Sequence, residues 1–288
     1  MTSLARPLAA AAAGAALLSL AACGGSSSSP PSVTVGAART YHLSGFGPTK
    51  GIRPGKPTLV HFTIVKPDGK PLTHYREGSG PHTGADLIIV RSDDSHVLYI
   101  DTQGHPNGLI SQEVTFPAPG RYRVVIDAYP KPTGATSPFN FQLFSWVTVT
   151  GTPNLTPVPA FARTEVVDGY RFSLQGKPAL HAIRPAFLTF SVTDLHGKPA
   201  RFSLWRGALA HAIFIRRSSL DYFHTHVCAP GVTNCGTKLG GASVTGVSST
   251  PGKLKVGVLV PVPGTWRMFL LTYIDGKERV APFTLVVR

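Results

Sequence analysis

Short runs in which every second residue is hydrophobic recur along most of this chain. Val60, Phe62 and Ile64 alternate with His61 and Thr63, and Leu188, Phe190 and Val192 alternate with Thr189 and Ser191. Tyr122, Val124 and Ile126 follow a Pro-Gly pair, as do Trp266, Met268 and Leu270. Side chains two apart on a strand share a face, so alternation bounded by Gly and Pro predicts half-buried β-strands. No segment carries the 3.6-residue period of an amphipathic helix. The pattern predicts an all-β protein.

The strand pattern occurs twice. KPTLVHFTIVKPDGKP, Lys56 to Pro71, matches RPAFLTFSVTDLHGKP, Arg184 to Pro199. ADLIIVR, Ala85 to Arg91, matches AHAIFIR, Ala210 to Arg216, and FPAPGRYR, Phe116 to Arg123, matches VPVPGTWR, Val260 to Arg267. Tyr41-His42-Leu43-Ser44 likewise pairs with Tyr170-Arg171-Phe172-Ser173. Four matches in one order mark an internal duplication. Some seven short strands per copy predict two tandem immunoglobulin-like β-sandwich domains, 36–150 and 160–288, joined by a linker over 151–159. In the Pro-x-Pro-Gly-x-aromatic repeat, Pro119 and Pro263 set the turn and Gly120 and Gly264 supply positive φ. Tyr122 and Trp266 are then expected in the core.

Composition fits this picture. The 288 residues suffice for two domains, and 30 Gly and 26 Pro punctuate the apolar runs. Residues 1–22 hold a charged start, an apolar stretch and small residues, as an export signal does. The tetrapeptide Leu20-Ala21-Ala22-Cys23 resembles a bacterial lipobox, which implies cleavage before Cys23 and lipidation of Cys23. The Gly/Ser/Pro-rich stretch 23–35 then reads as a flexible tether. The expected location is the cell envelope, lipid-anchored through Cys23 on the outer face of the bacterial cytoplasmic membrane. The net charge of +14 comes from dispersed basic residues, which suits a solvated surface over anionic lipid or wall polymers. There is no Lys/Arg run and no nucleic-acid motif, so no nucleic-acid partner is expected.

Catalytic signatures are absent: no G-x-S-x-G and no H-E-x-x-H occurs. GFGPTKG, from Gly45, is followed by Pro54 and Pro57, where a phosphate loop would need a helix. Glu77, Asp93, Asp94 and Asp221 lie near turns, and no carboxylate pair is placed for acid–base work. The chain is not expected to be an enzyme.

Of eleven histidines, three form a geometric set. AHAIFIR and DYFHTHV are separated by hairpin spacing, Arg217 to Leu220. A tight turn at Ser218-Ser219 places His211 opposite His226, with His224 two residues away on the same face. Three imidazoles on one face could hold Cu(II), Zn(II) or Ni(II). The alternative is that they pack and bond to backbone. Everything depends on register, because a one-residue slip sends His211 to the other face.

Gly207, His211, Phe223, His224 and His226, with the P-x-P-G-x-(Y/W)-R repeat, resemble the YtkA-like and related exported β-sandwich proteins of bacteria, often predicted lipoproteins. Many members carry His-x-His strand motifs beside a further histidine, and the resemblance implies a link to copper or other heavy metals. In the first copy Asp86, Tyr99 and Asp101 stand where His211, His224 and His226 stand in the second, so a symmetric two-metal protein is not expected. Cys228 and Cys235 enclose a short Pro-Gly loop in an exported chain, which predicts a disulfide; a reduced Cys228 would instead be a soft ligand for Cu(I). The resulting expectation is a non-enzymatic envelope lipoprotein binding copper or zinc through His211, His224 and His226. The competing one is a structural module that recognises an envelope protein partner.

Overall fold

The computed structural model describes residues 41–78, 80–102, 106–134, 140–217, 219, 221–232, 235–236, 238–239 and 242–288. The expected signal segment, the tether and Cys23 lie outside the described residues.

Alternating hydrophobicity does produce strands. The first copy folds as β1 (His42–Gly47), β2 (Pro57–Val65), β3 (Ala85–Arg91), β4 (Val97–Thr102), β5 (Leu109–Thr115), β6 (Gly120–Ala128) and β7 (Phe141–Val149). They form a three-stranded sheet, β1-β2-β5, and a four-stranded sheet, β4-β3-β6-β7. The second copy begins with β8 (Thr164–Val167), β9 (Tyr170–Leu174), β10 (Ala186–Asp194), β11 (Ala210–Arg216) and β12 (Tyr222–Cys228). The short β13 (Lys238–Leu239), β14 (Ala242–Ser243) and β15 (Gly246–Val247) follow, then β16 (Lys253–Val258), β17 (Gly264–Ile274) and β18 (Lys277–Val287). Its sheets run β16-β10-β9-β8 and β15-β12-β11-β17-β18, with β13-β14 a separate ribbon. The duplicated segments take matching places: β2 and β10 lie inside one sheet of each pair, and β3 and β11 each lie beside the strand that starts with the Pro-Gly turn.

Each sandwich closes over its own core. Val60, Phe62, Ile64, Phe116 and Tyr122 are buried in the first, and Phe172, Phe190, Val192, Trp266 and Phe283 in the second. The duplication persists to individual atoms. Arg91 at the end of β3 donates from Nε to the Pro119 carbonyl at 3.1 Å, and Arg216 at the end of β11 donates likewise to the Pro263 carbonyl at 3.1 Å. Gly120 and Gly264 have φ of 128° and 136°. A Cβ there would stand 3.3 Å from Arg91 Nε and 3.1 Å from Arg216 Nε, so the positive φ favours glycine and a side chain would also press on the guanidinium. The Tyr122 hydroxyl donates to the Ala118 carbonyl at 2.9 Å, and the Trp266 indole N–H to the Val262 carbonyl at 3.1 Å. Each core aromatic thereby satisfies its polar tip.

The segment between the copies is pinned. The Asn154 carbonyl accepts from Arg91, and the Thr156 N–H donates to Asp93, itself ion-paired with buried Arg91 at 2.6 Å. The Thr284 hydroxyl donates to the Pro159 carbonyl at 2.7 Å.

One expectation needs correction. β6 and β17 are not half-buried: Val124 to Ala128 and Trp266 to Thr272 are buried without interruption. β3 is buried along its whole length, and β11 up to Arg216. The reason is a third apolar cluster, between the sandwiches. Leu87 and Ile89 point into the first core, whereas Ile88 and Val90 point out of it, with Tyr99 and Val125, onto Ile213, Ile215, Phe269 and Leu271 of the second sandwich. The outer face of one sheet is thus the inner face of an interface, and the described residues belong to one compact unit. Phe269 is buried here, so Phe269→Ala is expected to lower stability by about 3–5 kcal/mol, through lost burial and the cavity left behind, measured by chemical denaturation.

Candidate metal centre

The β11–β12 hairpin fixes the histidines. The Arg216 N–H donates to the Asp221 carbonyl at 2.8 Å, and the ladder then pairs His211 with His226 and Ile213 with His224. This is the register inferred from spacing; Ser218 of the expected turn lies outside the described residues. Because the strands pair this way, the three imidazoles share the face that turns toward the first sandwich. Ring centroids are 4.9 Å apart for His211 and His226, 4.4 Å for His224 and His226, and 5.5 Å for His211 and His224. One nitrogen from each ring can be chosen so that all three lie within 4.8 Å of one another. All three residues are buried.

Hydrogen bonding sets one tautomer. His211 Nε2 lies 3.1 Å from the Trp205 carbonyl oxygen, which only accepts, so Nε2 carries the proton and Nδ1 keeps its lone pair. That Nδ1 lies 3.3 Å from His224 Nε2. Nitrogens bound to a tetrahedral zinc at about 2.0–2.1 Å lie about 3.4 Å apart, so this pair already has the separation of two ligands. The remaining nitrogens are unusual. His224 Nδ1 and both nitrogens of His226 are enclosed, with no hydrogen-bond partner among the described residues. Leaving such groups unpaired costs about 1–3 kcal/mol each. Burial lowers the His211 pKa from its ordinary 6.5 to about 3, the nearby Arg206 and His82 adding to the effect. Burial, followed by the neighbouring imidazoles, holds His224 and His226 well below the usual value. Neutral imidazole is the form that binds metals.

The first sandwich supplies the opposing wall. Asp86, Tyr99 and Asp101, the sequence equivalents of the three histidines, stand on the matching face of β3 and β4, where Asp86 pairs with Asp101 on one side and Asp127 of β6 on the other. The Tyr99 ring packs on His211 and His224, with centroids 4.9 and 5.3 Å away, and its hydroxyl donates to Asp86 Oδ2 at 3.0 Å. Burial and the adjacent aspartates push Asp86 well above the ordinary carboxyl range. Asp127 is raised by burial, against four donors: Gln142 and Asn140 on one oxygen, and Tyr129 and Tyr222 on the other. Tyr222 belongs to the second sandwich, so this bond crosses the interface. Arg206 also crosses it, 3.8 Å from Asp101 and over the Tyr99 ring at 5.0 Å.

Spacing did not reveal this row of three aspartates, because Asp86, Asp101 and Asp127 become neighbours only through strand pairing. His82 stands at no matching spacing in the sequence, yet its ring lies 4.8 Å from that of His226. A usable signal was the unbroken apolar run in Leu87-Ile88-Ile89-Val90 and in Ala212-Ile213-Phe214-Ile215, which indicates strands covered on both faces. His96 lies in the β3–β4 turn, and His105 lies outside the described residues. A cleft of about 280 Å³ lined by His82, Asp127, Tyr222 and His224 adjoins the histidines, and one of about 220 Å³ lined by Asp86, Tyr99, Asp101 and Arg206 adjoins the aspartates.

Cys228 and Cys235 are joined in a disulfide with Cα atoms 5.9 Å apart, packed on Ala208 and Val232. The cysteines are therefore structural, and Cys228 is not a free thiolate.

Residues 164–288 match a family model described as a domain of unknown function (DUF8832). Comparison with curated proteins found no matching sequence. Among solved structures, FdeC, an Escherichia coli adhesin, is similar at 12% identity over 86% of this chain and 64% of its own, with a TM-score of 0.27. Fibronectin(III)-like modules of Clostridium thermocellum CbhA align at 11% identity over 86% of this chain and 92% of theirs, with a TM-score of 0.22. Invasin, a bacterial integrin-binding protein, aligns at 12% identity over 86% of this chain and 38% of its own, with a TM-score of 0.22. The chain thus spans less than two thirds of the adhesin. At these similarities the function has to be argued from the residues themselves.

Two outcomes are expected. His211→Gln keeps a donor for the Trp205 carbonyl and removes a titrating group. Between pH 6.5 and about 3 the unfolded wild-type chain takes up a proton at His211 that the folded protein refuses, so wild type loses stability as pH falls. Relative to His211→Gln, the loss is about 2 kcal/mol between pH 7 and pH 5 in chelator-treated protein, read from urea titrations. Removing the disulfide by Cys228→Ala with Cys235→Ala reopens a short loop and costs about 2.5 kcal/mol on the chain-entropy account, read the same way.

Proposed function

We propose that this protein is a non-enzymatic cell-envelope lipoprotein that binds a transition metal, copper or zinc, through His211, His224 and His226. In this reading Cys23 carries the lipid, residues 23–35 tether the body to the outer face of the bacterial cytoplasmic membrane, and two sandwiches over 36–150 and 160–288 carry the site. The observation that supports it best is His226: a buried imidazole with neither nitrogen paired among the described residues, between two more imidazoles. A buried polar side chain is normally satisfied by protein or water, and an ion ligated at this point would satisfy several nitrogens at once. Three neutral nitrogen donors without a thiolate suit Zn(II) or Cu(II) better than Cu(I). The wall opposite supports a binding role over catalysis, since the Asp127 carboxylate is saturated by amide and hydroxyl donors and has no free oxygen to act as a base.

A second reading, an interaction module for another envelope protein, is favoured by Leu59 and Phe187. These equivalent positions of β2 and β10 are 60% and 42% exposed, which leaves an apolar side chain outward on each sandwich. The two readings separate in one titration. Chelator-treated wild type is expected to take up one equivalent of Zn(II) or Cu(II) by calorimetry, and His224→Ala is expected to weaken binding by more than about 100-fold. Equal, weak binding by both proteins leaves the interaction module as the surviving function.

A further inference from the structure

We infer that the outer face of the second sandwich's β16-β10-β9-β8 sheet is a docking surface for an anionic lipid bilayer, with Arg171, Lys253 and Lys255 meeting the headgroups and Phe187 and Val166 entering at its corners. Strand pairing puts these side chains together. Phe172, Leu188, Phe190, Val192 and Leu254 turn into the core, so the residues that alternate with them turn outward. Lys255 stands beside Thr189 and Lys253 beside Ser191, while Arg171 lies between Thr193 and Val166. The Lys255 ammonium sits over the Phe187 ring at 4.4 Å, and Lys253 donates to the Ser191 hydroxyl at 3.2 Å. All three cations are exposed. Among the described residues none of them is in an ion pair, and no carboxylate occupies an outward position of these strands.

The first sandwich supplies an internal comparison. Its equivalent face carries Leu109, Ser111 and Glu113 opposite Thr63, His61 and Leu59, where the second carries Lys253, Lys255 and Gly257 opposite Ser191, Thr189 and Phe187. The charge is thus a property of one face and not of the fold. Cations among hydroxyls would suit any polyanion. The apolar corners decide which. Phe187 is 42% exposed and Val166 is 56% exposed. They lie about 20 Å apart along the strand direction, Val166 aligning through Arg171 with Thr193. A soluble polymer of phosphates offers nothing apolar to either, whereas a bilayer lays hydrocarbon just beneath its phosphates. The surface potential of anionic lipid draws in each cation that comes close to it. The anchor proposed above at Cys23 adds only proximity; the contact itself needs neither the lipid chain nor the metal. Docked this way, the sheet carrying His211, His224 and His226 is held on the side away from the bilayer, because the two sheets of a sandwich present opposite outer faces.

The test uses residues 36–288, a compact unit that holds both cores and leaves out the apolar segment and Cys23. Co-sedimentation with phosphatidylcholine vesicles, with and without phosphatidylglycerol, is read at about 0.1 M and about 1 M salt. Wild type is expected to bind only the anionic vesicles and to release them at high salt. Arg171→Gln with Lys253→Gln and Lys255→Gln is expected to lower that affinity on the order of 100-fold. Lys50→Gln with Lys70→Gln and Lys131→Gln removes the same charge from exposed positions of the first sandwich and is expected to lower it by less than about 5-fold. Phe187→Ser with Val166→Ser is expected to weaken vesicle binding about 10-fold and to leave binding to polyphosphate unchanged. Lack of any preference for anionic vesicles overturns the docking surface, and so does an equal loss in the two charge variants. Binding to polyphosphate as tight as to vesicles, with no effect of the apolar substitutions, overturns the bilayer in favour of a soluble polymer. The trio reading stands or falls separately, on whether His224→Ala abolishes metal binding.

Discussion

Burial of the β3 face against β11 and β17 is the contact on which the chemistry of this protein depends. Ile88, Val90 and Val125 meet Ile213, Phe269 and Leu271 in a strip that excludes water from both sheets. On an isolated sandwich, His211, His224 and His226 would lie on a solvated sheet face, with water for every nitrogen and ordinary basicity. Covered, they lose that water. Their proton affinity drops, and several nitrogens are left without partners. The same apolar contact that joins the sandwiches thus strips their polar inclusions of solvent partners.

Duplication accounts for the way two unlike faces meet so closely. The Arg91–Pro119 and Arg216–Pro263 bonds, the positive-φ glycines and the aromatic tips form one repeated lock at the far end of each sheet. With the lock retained, the two sheets keep equivalent strand pairings, so a position on one has a counterpart on the other. Across that frame the side chains differ. One copy carries Asp101, Asp86 and Asp127 in a row, and the other carries His226, His211 and Leu271. Carboxyl, phenol and imidazole groups therefore face each other in a dry gap, where the first wall bonds largely within itself and the second does not.

Covalent and polar ties hold the histidine strand from outside that gap. The disulfide closes the chain two residues past His226, and the Trp205 carbonyl holds His211 from the preceding loop. Trp205 packs edge-on against both Tyr99 and His211. The ring of His211 is thereby fixed in tautomer and in plane, which gives the trio one rigid member around which the others can adjust.

Local pattern was enough to determine a good deal. Period-two alternation gave the strands, repeated segments gave two sandwiches, and hairpin spacing gave the pairing of His211 with His226. Each of these is encoded within one strand or across one turn, so neighbouring residues carry the information. Cys228 and Cys235 were legible for the same reason. What the sequence could not decide was which sheet face would be covered. The row of aspartates joins three strands of one sheet, and the approach of His82 to His226 joins residues more than a hundred positions apart, brought together by packing that is non-directional and leaves no local signature beyond an unbroken apolar run. The tertiary structure decided that the histidines lie in a dry interface and not on a wet surface, because only docking of the second sheet removes the water that would otherwise have solvated them.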